Sequence, residues 1–138
     1  MTLEPIVKNT DWPTEEATRA CAQRLAASDA IVNALIELHG DLGAGKTTWV
    51  RHLLRALGVS GRIKSPSYGV VEPHLGQHLG RHLDIWHFDF YRMDDPREWV
   101  DGRPKADLAL HIESDAQERR WVRALAQSEI GRRLLEAL

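Results

Sequence analysis

The stretch GDLGAGKT at positions 40–47 decides the fold, because it matches the pattern G-x-x-x-x-G-K-[ST] without a gap. Such a loop turns successive backbone N–H groups inward around phosphate oxygens, which requires glycine dihedrals and a close approach without a Cβ. Gly43 and Gly45 meet that requirement. Four fixed positions also occur by chance in ordinary glycine-rich turns, so the flanking elements must distinguish a phosphate loop from a turn.

Both flanks of the loop carry the required apolar patterns. Before the loop, residues 31–39 predict a strand with apolar surface on both faces, as in the interior of a parallel sheet. After it, residues 46–57 predict a helix with an inward apolar stripe, ended by Gly58. We therefore expect an α/β fold of the P-loop NTPase type. It would be a three-layer sandwich with a small, mainly parallel sheet and flanking helices.

The loop residues have separate expected roles toward a nucleoside triphosphate. Lys46 places a charge on the β- and γ-phosphates, the Thr47 hydroxyl can ligate Mg²⁺, and Thr48 can add a hydroxyl contact. The predicted cofactors are therefore a nucleoside triphosphate and Mg²⁺, and these residues do not separate ATP from GTP. Four further loop residues are expected to bind phosphate: Leu42, Gly43, Ala44 and Gly45.

Hydrolysis needs more than phosphate binding, because phosphoryl transfer depends on a group that holds the metal or positions water. Asp89 follows the apolar run 83–88 and is expected at the carboxyl end of a strand, where ligands bind in open α/β sheets. Its alternative role is an ion pair with Arg92. Ser67 could offer a hydroxyl to Mg²⁺ or the γ-phosphate, as switch segments do, or could be an ordinary loop hydroxyl.

The remaining chain predicts further elements around this centre. Thr14 is expected to cap a helix from Glu15 to about Ala27. The tract 73–82 holds two glycines and three histidines and is interpreted as a loop rather than a metal-binding helix. Ser114 and Gln117 together are predicted to cap a last helix that bears apolar residues as far as Leu138. Three strands are expected at 68–72, 83–91 and 107–113.

Composition limits the classes of function. A chain of 138 residues, 43 % hydrophobic and 28 % charged, is expected to form one globular domain over residues 1–138. Its net charge of −2 argues against broad electrostatic attraction to nucleic acid. The single cysteine, Cys21, is expected to pack in a helix. No stretch approaches the length of a membrane span or a signal peptide, so a cytoplasmic location is expected.

Five motifs together resemble a known family. They occur in that family's order and spacing: GDLGAGKTT at 40–48, LG at 57–58, KSPSY at 64–68, VE at 71–72 and HFDFYRM at 87–93. The chain is similar to the small bacterial ATPases called TsaE or YjeE, which take part in the threonylcarbamoyladenosine modification of tRNA. The resemblance covers roughly residues 14–98 and is far more specific than the loop alone.

The resemblance implies a magnesium-dependent ATPase in which Lys46, Asp89 and Ser67 act in catalysis and Asp89 shares the metal with Thr47. Ser67 stands where the family usually has Thr. Glu15 matches a stretch that lies near the nucleotide base. The implied partners are a metal-dependent threonylcarbamoyl transferase and its inactive paralogue. Because the family acts on that protein complex, no direct binding of tRNA is expected.

One family feature is missing after Asp101. Family members have an apolar strand ending in Glu-Trp-Pro there, and its Glu is a second magnesium ligand. In this chain the helix signal at 95–98 is cut short by Gly102–Pro104, and about twenty or more residues are absent relative to the family. Two alternatives therefore stay open beside the ATPase. One is a non-catalytic nucleotide-binding partner, and the other is a small nucleotide-dependent kinase, which would need lid arginines.

Overall fold

The computed structural model describes residues 6–41, 43–63, 71–88 and 106–138. These residues form three α-helices, one short 3₁₀ helix and six strands. In chain order they are β1 (Ile6–Trp12), α1 (Glu15–Ala27), the 3₁₀ helix (Asp29–Asn33), β2 (Ile36–His39), α2 (Lys46–Ala56), β3 (Val71–His78), β4 (Arg81–Phe88), β5 (Leu108–Ser114), β6 (Arg120–Ala126) and α3 (Glu129–Glu136).

The main sheet has four strands in the order β1-β6-β5-β2. Strand β2 runs parallel to β5, whereas β5 with β6 and β6 with β1 are antiparallel. The expectation of a mainly parallel sheet is therefore wrong for the described residues. The physical reason is the short turn between Ser114 and Arg120, since a parallel connection needs a crossover of a dozen or more residues.

The core lies against one face of this sheet. The register pairs Leu108 with Ala126, Leu110 with Ala124 and Ile112 with Val122, so these six side chains share a face. All six are buried. Within the described residues, every α-helix contributes to the same core cluster, and the three-layer arrangement is not confirmed. The helical members of the cluster are Cys21, Ala22, Leu25, Ala26, Trp49, Leu53, Leu134 and Leu135.

Several predicted elements are confirmed. Thr14 caps α1, where its side chain accepts a hydrogen bond from Ala17 N. Helix α2 ends before Gly58, which has a φ of 81°. The strand predicted at 107–113 is β5, within one residue at each end. Cys21 is fully buried on α1, and that burial raises the pKa of its thiol.

The strand predicted over 31–39 is only half correct. The Ser28 hydroxyl accepts a hydrogen bond from Ala30 N and starts a 3₁₀ helix at Asp29–Asn33. The strand β2 is confined to Ile36–His39. A polar cap therefore overrides the apolar alternation at the start of this segment, because a satisfied N–H group stabilises a helical turn.

The predicted loop at 73–82 is wrong, since these residues form most of a β-hairpin. Strands β3 and β4 pair antiparallel from Val71 opposite Phe88 to His78 opposite Arg81. The two-residue turn has positive φ at both Leu79 and Gly80, as a type I′ turn requires. Gly80 is thus a turn residue rather than a sign of irregular structure.

The single helix predicted from Ser114 onward is also wrong. Strand β6 comes first, and α3 begins only after Ser128. The Ser128 hydroxyl accepts from Gly131 N at 3.0 Å and donates to Asp107 Oδ1 at 2.7 Å. A Cβ on Gly131 would lie 1.8 Å from Asp107 O, so only glycine permits α3 to approach the sheet this closely.

Candidate phosphate-binding site

The loop between β2 and α2 is anchored on strand β5. A Cβ at Gly40 would lie 2.5 Å from the carbonyl oxygen of Ile112, so the loop passes this strand at backbone contact. Ala44 is buried, and its N–H donates to Asp41 O at 2.9 Å. The loop is thus held against β5 at Gly40, and a hydrogen bond within the loop joins Ala44 to Asp41.

The two inner glycines give the loop its conformation. Gly43 has a φ of 85° and Gly45 a φ of 110°, values that favour glycine. An added Cβ at Gly43 would meet no atom within 4 Å, so open space lies beside it. Gly45 is the N-cap of α2 and has no side chain to accept hydrogen bonds from the first turn. This end of the helix, with its positive dipole end, therefore fits a phosphate group.

Lys46 lies over the loop at the start of α2. Its side chain is half-buried, and Nζ donates a hydrogen bond to the carbonyl oxygen of Gly40. The ammonium group is thus held at the mouth of the loop, where a phosphate would meet it. Thr47 and Thr48 follow in the same first turn and are half-buried. The structure therefore brings together the predicted lysine and both predicted hydroxyl residues.

Glu15 lies in the first turn of α1, which packs against α2. Its Oε1 is 3.2 Å from His52 Nε2 on α2, and its side chain is largely exposed. The contact places Glu15 beside the second turn of α2. Its predicted role near the nucleotide base stays a prediction.

Three predicted site residues lie outside the described residues: Leu42, Ser67 and Asp89. The described part of strand β4 reaches Phe88, the residue before Asp89 in the sequence. Within the described ranges, no group of three or more His, Cys, Asp or Glu side chains could hold a metal ion. Of the two predicted magnesium ligands, only Thr47 can therefore be placed. Its hydroxyl oxygen is chemically suited to Mg²⁺, which takes oxygen ligands.

Two of the three histidines in the tract 73–82 contact carboxylates. His78 contacts Ala26 O at 3.1 Å and Asp29 Oδ1 at 3.0 Å, and His82 contacts Asp84 Oδ1 at 3.0 Å. They are spread along two strands and form no shared site with His74 among the described residues.

Arg120 is a site residue that the sequence analysis missed. It is the first residue of β6, and its Nε lies 2.9 Å from the position that a Cβ on Gly45 would occupy. The guanidinium group therefore packs on the N-cap residue of α2. No local motif marks this arginine, because only the pairing of β6 with β5 carries it to the loop.

Two stacked histidines lie where β2 enters the loop. The rings of His39 and His111 are 4.5 Å apart between centroids and nearly parallel, and His39 Nε2 contacts Glu37 Oε1 at 2.8 Å. Partial desolvation of the otherwise exposed His111 ring lowers its pKa, and the neighbouring His39 and Arg123 lower it further, while Glu37 opposes them. His111 therefore favours its neutral form in the folded chain.

Comparison with known proteins agrees with this geometry. The family model described as threonylcarbamoyl adenosine biosynthesis protein TsaE matches residues 12–124. The chain belongs to the TsaE family. The match begins before α1 and ends within β6, so it includes every described residue of the phosphate loop. Membership connects the chain to the biosynthesis of threonylcarbamoyladenosine in tRNA.

Two relatives and one solved structure illustrate the similarity to TsaE proteins. The tRNA threonylcarbamoyladenosine biosynthesis protein TsaE of Haemophilus influenzae is 32 % identical over 126 residues, covering 75 % of this chain and 77 % of the relative. That of Bacillus subtilis is 34 % identical over 94 residues, covering 67 % of this chain and 56 % of the relative. The crystal structure of Bacillus subtilis YdiB has a TM-score of 0.67 and 24 % identity, covering 95 % of this chain and 94 % of that one, and it shows the fold.

The alignment with the Haemophilus TsaE has more positions than it has residues of this chain. It extends over 126 positions, whereas 75 % of the 138 residues is about 104, which leaves about 22 positions without a counterpart here. This difference has the size of the segment that the resemblance finds missing after Asp101.

None of the described helices is long and apolar enough to cross a membrane.

Proposed function

We propose that this chain is the ATP-binding and ATP-hydrolysing subunit of the machinery that makes threonylcarbamoyladenosine in tRNA. The observation that carries the proposal is the amino end of α2. There Gly43 and Gly45 adopt positive φ, Gly45 leaves the first turn without a side-chain cap, and Lys46 lies over the loop. A helix start of this form binds the phosphates of a nucleotide.

In this proposal each residue of the loop has a defined task. The backbone of Leu42, Gly43, Ala44 and Gly45 binds the phosphates, and Lys46 neutralises charge on the β- and γ-phosphates. Thr48 adds a hydroxyl contact, and Glu15 lies toward the base. Thr47 and Asp89 hold Mg²⁺, which when bound neutralises the charge that develops on the phosphate oxygens. Ser67 and Asp89 complete the catalytic group.

The proposed partners are proteins rather than nucleic acid. The family name connects the chain to the tRNA-modification machinery, and the net charge of −2 supplies no broad attraction to RNA. We propose that the chain acts on the threonylcarbamoyl transferase and its inactive paralogue, in the cytoplasm and without direct binding of tRNA. Nucleotide turnover would then be coupled to the state of that complex.

One observation favours a second candidate function. The Haemophilus alignment leaves about 22 positions without residues of this chain, and the resemblance gives the missing segment a glutamate that ligates magnesium. Without that carboxylate the metal would have fewer protein ligands, whereas the phosphate loop is intact. A non-catalytic partner that binds nucleotide and docks without turnover is therefore the alternative.

Binding and hydrolysis of ATP by the pure chain, with and without the transferase pair, separate the two candidates. We expect wild type to bind Mg-ATP and to hydrolyse it, and Lys46→Ala to bind it between about tenfold and 100-fold more weakly. We expect Asp89→Ala to retain most of the binding but to lose turnover. Binding without any turnover in wild type, also with the transferase pair present, would establish the non-catalytic candidate. Absence of nucleotide binding would overturn both.

A further inference from the structure

Arg120 brings a second cation to the phosphate loop from a different part of the chain. Its side chain runs along Gly45, where a Cβ would lie 2.9 Å from Nε, 3.4 Å from Cδ and 3.8 Å from Cγ. The Cγ–Cδ–Nε part of the side chain therefore follows the N-cap residue of α2. Lys46, the cation that the motif predicts, is the next residue along that backbone.

Among the residues that the structure describes, one hydrogen bond uses a donor of Arg120. Nη1 donates to the carbonyl oxygen of Glu118 at 3.1 Å, which holds the side chain toward the β5–β6 turn. Among the described residues, no carboxylate forms an ion pair with Arg120, whereas its neighbour Arg119 pairs with Asp11 at 3.3 Å. A guanidinium group has five N–H donors and remains charged at all relevant pH values. Within the described residues, the positive charge of Arg120 beside the helix start is therefore not neutralised by a carboxylate.

The sheet explains why this arginine reaches the loop. Strand β5 passes the loop at Ile112, whose carbonyl oxygen lies against Gly40, and β6 pairs with β5 so that Arg120 is opposite Ser114. The start of β6 is thus at the same end of the sheet as the loop. The side chain of Arg120 is half-buried, which reduces the freedom that it would lose on binding an anion.

We propose that Arg120 contacts the phosphates of the bound nucleotide and acts as a second phosphate-binding cation beside Lys46. This inference rests on the proposed function, because it assigns a further residue to the same nucleotide site. Arginine suits the task, since its planar fork can donate two hydrogen bonds to one phosphate group. The contact involves the phosphates alone, so the base and sugar do not depend on Arg120.

The test compares Arg120→Gln with Arg123→Gln in nucleotide-binding titrations of the full chain. Arg123 is the matched control, because it lies three residues along the same strand and therefore on the other face of the sheet. We expect Arg120→Gln to weaken Mg-ATP binding about tenfold, the effect of losing a hydrogen bond to a charged group. Arg123→Gln is expected to bind within twofold of wild type. Inorganic tripolyphosphate, used as a competitor, should lose affinity by the same factor as ATP.

The outcomes separate this proposal from the proposed function. If wild type binds Mg-ATP and Arg120→Gln binds it equally well, the arginine contact is wrong and the nucleotide site stands. If wild type binds no nucleotide, both proposals are wrong. A loss of ATP affinity in Arg120→Gln without a loss of tripolyphosphate affinity would also overturn the phosphate contact, because it would show an effect on the base or sugar.

A measurement on the wild-type chain keeps the test decisive if Arg120→Gln does not fold. The Nε–Hε resonance of Arg120, assigned by its disappearance in Arg120→Lys, is expected to shift when tripolyphosphate is added. The resonance of Arg123 serves as the internal reference. An unchanged Arg120 resonance at saturating tripolyphosphate would overturn the proposal.

Discussion

Helix α2 begins and ends in opposite ways. At its amino end Gly45 offers no side chain to the first turn, and the loop before it is open beside Gly43. At its carboxyl end the chain satisfies the last carbonyl groups itself. Gly58 N donates to Arg55 O, Val59 N to Leu54 O, and Gln77 N from the hairpin to Leu57 O at 2.6 Å. One end of the helix is thus completed by protein, and the other is shaped for an anion.

This difference separates stability from ligand binding along a single helix. Side chains at the carboxyl end, including Leu54, Val59 and Ile63, form a small buried cluster. Arg55 adds a hydrogen bond from Nη1 to Val59 O at 3.0 Å. Changes there should affect the free energy of unfolding, because they break contacts within the protein. Changes at the amino end should affect nucleotide affinity, because the helix dipole and Lys46 act on a ligand.

The largest expected effect is on ATP affinity in Lys46→Ala. Removing the ammonium group should weaken Mg-ATP binding by between about tenfold and 100-fold, because it removes a charge-assisted hydrogen bond to phosphate. Isothermal titration calorimetry measures the change. Arg51→Ala is the control, since Arg51 is exposed on the same helix and should leave affinity unchanged. An affinity of Lys46→Ala within threefold of wild type would contradict the interpretation that the amino end of α2 is shaped for an anion.

The next effect concerns the carboxyl end and the hairpin docked on it. A Cβ on Gly76 would lie 2.7 Å from Leu57 O and 2.8 Å from Ile85 Cδ1, so Gly76→Ala must push the hairpin from α2. We expect a loss of about 1 to 3 kcal/mol in the free energy of unfolding, as for other overpacked sites. Urea denaturation measures it. Leu75→Ala, beside it but 70 % exposed, should change stability by less than about 0.5 kcal/mol.

Alanine substitutions at two similar glycines, Gly43 and Gly58, compare the two ends of α2 directly. Gly43 and Gly58 have similar φ values of 85° and 81°, and a Cβ would fit at either position without a contact shorter than 3.6 Å. Alanine at each should therefore cost about 1 to 2 kcal/mol of stability, from backbone conformation alone. Only Gly43→Ala should also weaken Mg-ATP binding. Equal affinity losses in both variants would show that the two ends of α2 are not functionally separate.

The sequence predicted elements whose signals are local. The cap Thr14, the glycine-rich loop and the stop at Gly58 each act within a few residues, and the structure has all three as expected. The hairpin was missed because Gly76 resembled a helix and strand breaker, whereas its lack of a side chain permits contact with Leu57. That contact joins residues far apart in the chain and leaves no local pattern.

Strand β6 and Arg120 were missed for a related reason. The buried alternation of Val122, Ala124 and Ala126 was present in the sequence, but the leucines further along favoured one continuous helix. Ser128, which caps α3, was the signal that could have divided the two elements. The position of Arg120 at the loop follows only from the pairing of β6 with β5. A residue such as Arg120, which only strand pairing brings to the loop, therefore leaves no motif in the sequence.

The smallest expected effect is a pH dependence at the amino end. Partial desolvation and the neighbouring His39 and Arg123 lower the pKa of His111 in the folded chain, while Glu37 opposes them. An unfolded histidine takes up its proton near pH 6.5. Below that pH the unfolded chain binds more protons at this position, so the contribution of His111 to stability is complete above about pH 6.5 and is lost as the pH falls.

Urea denaturation at pH 7.5, 6.5 and 5.5 checks this sign. We expect the free energy of unfolding to fall toward pH 5.5, and His111→Gln to reduce that fall by less than about 1 kcal/mol, because solvent screens an exposed histidine. If His111→Gln steepened the fall instead, the stacked pair would favour protonation. The amino end of α2 would then carry a stabilising positive charge directly before its phosphate loop.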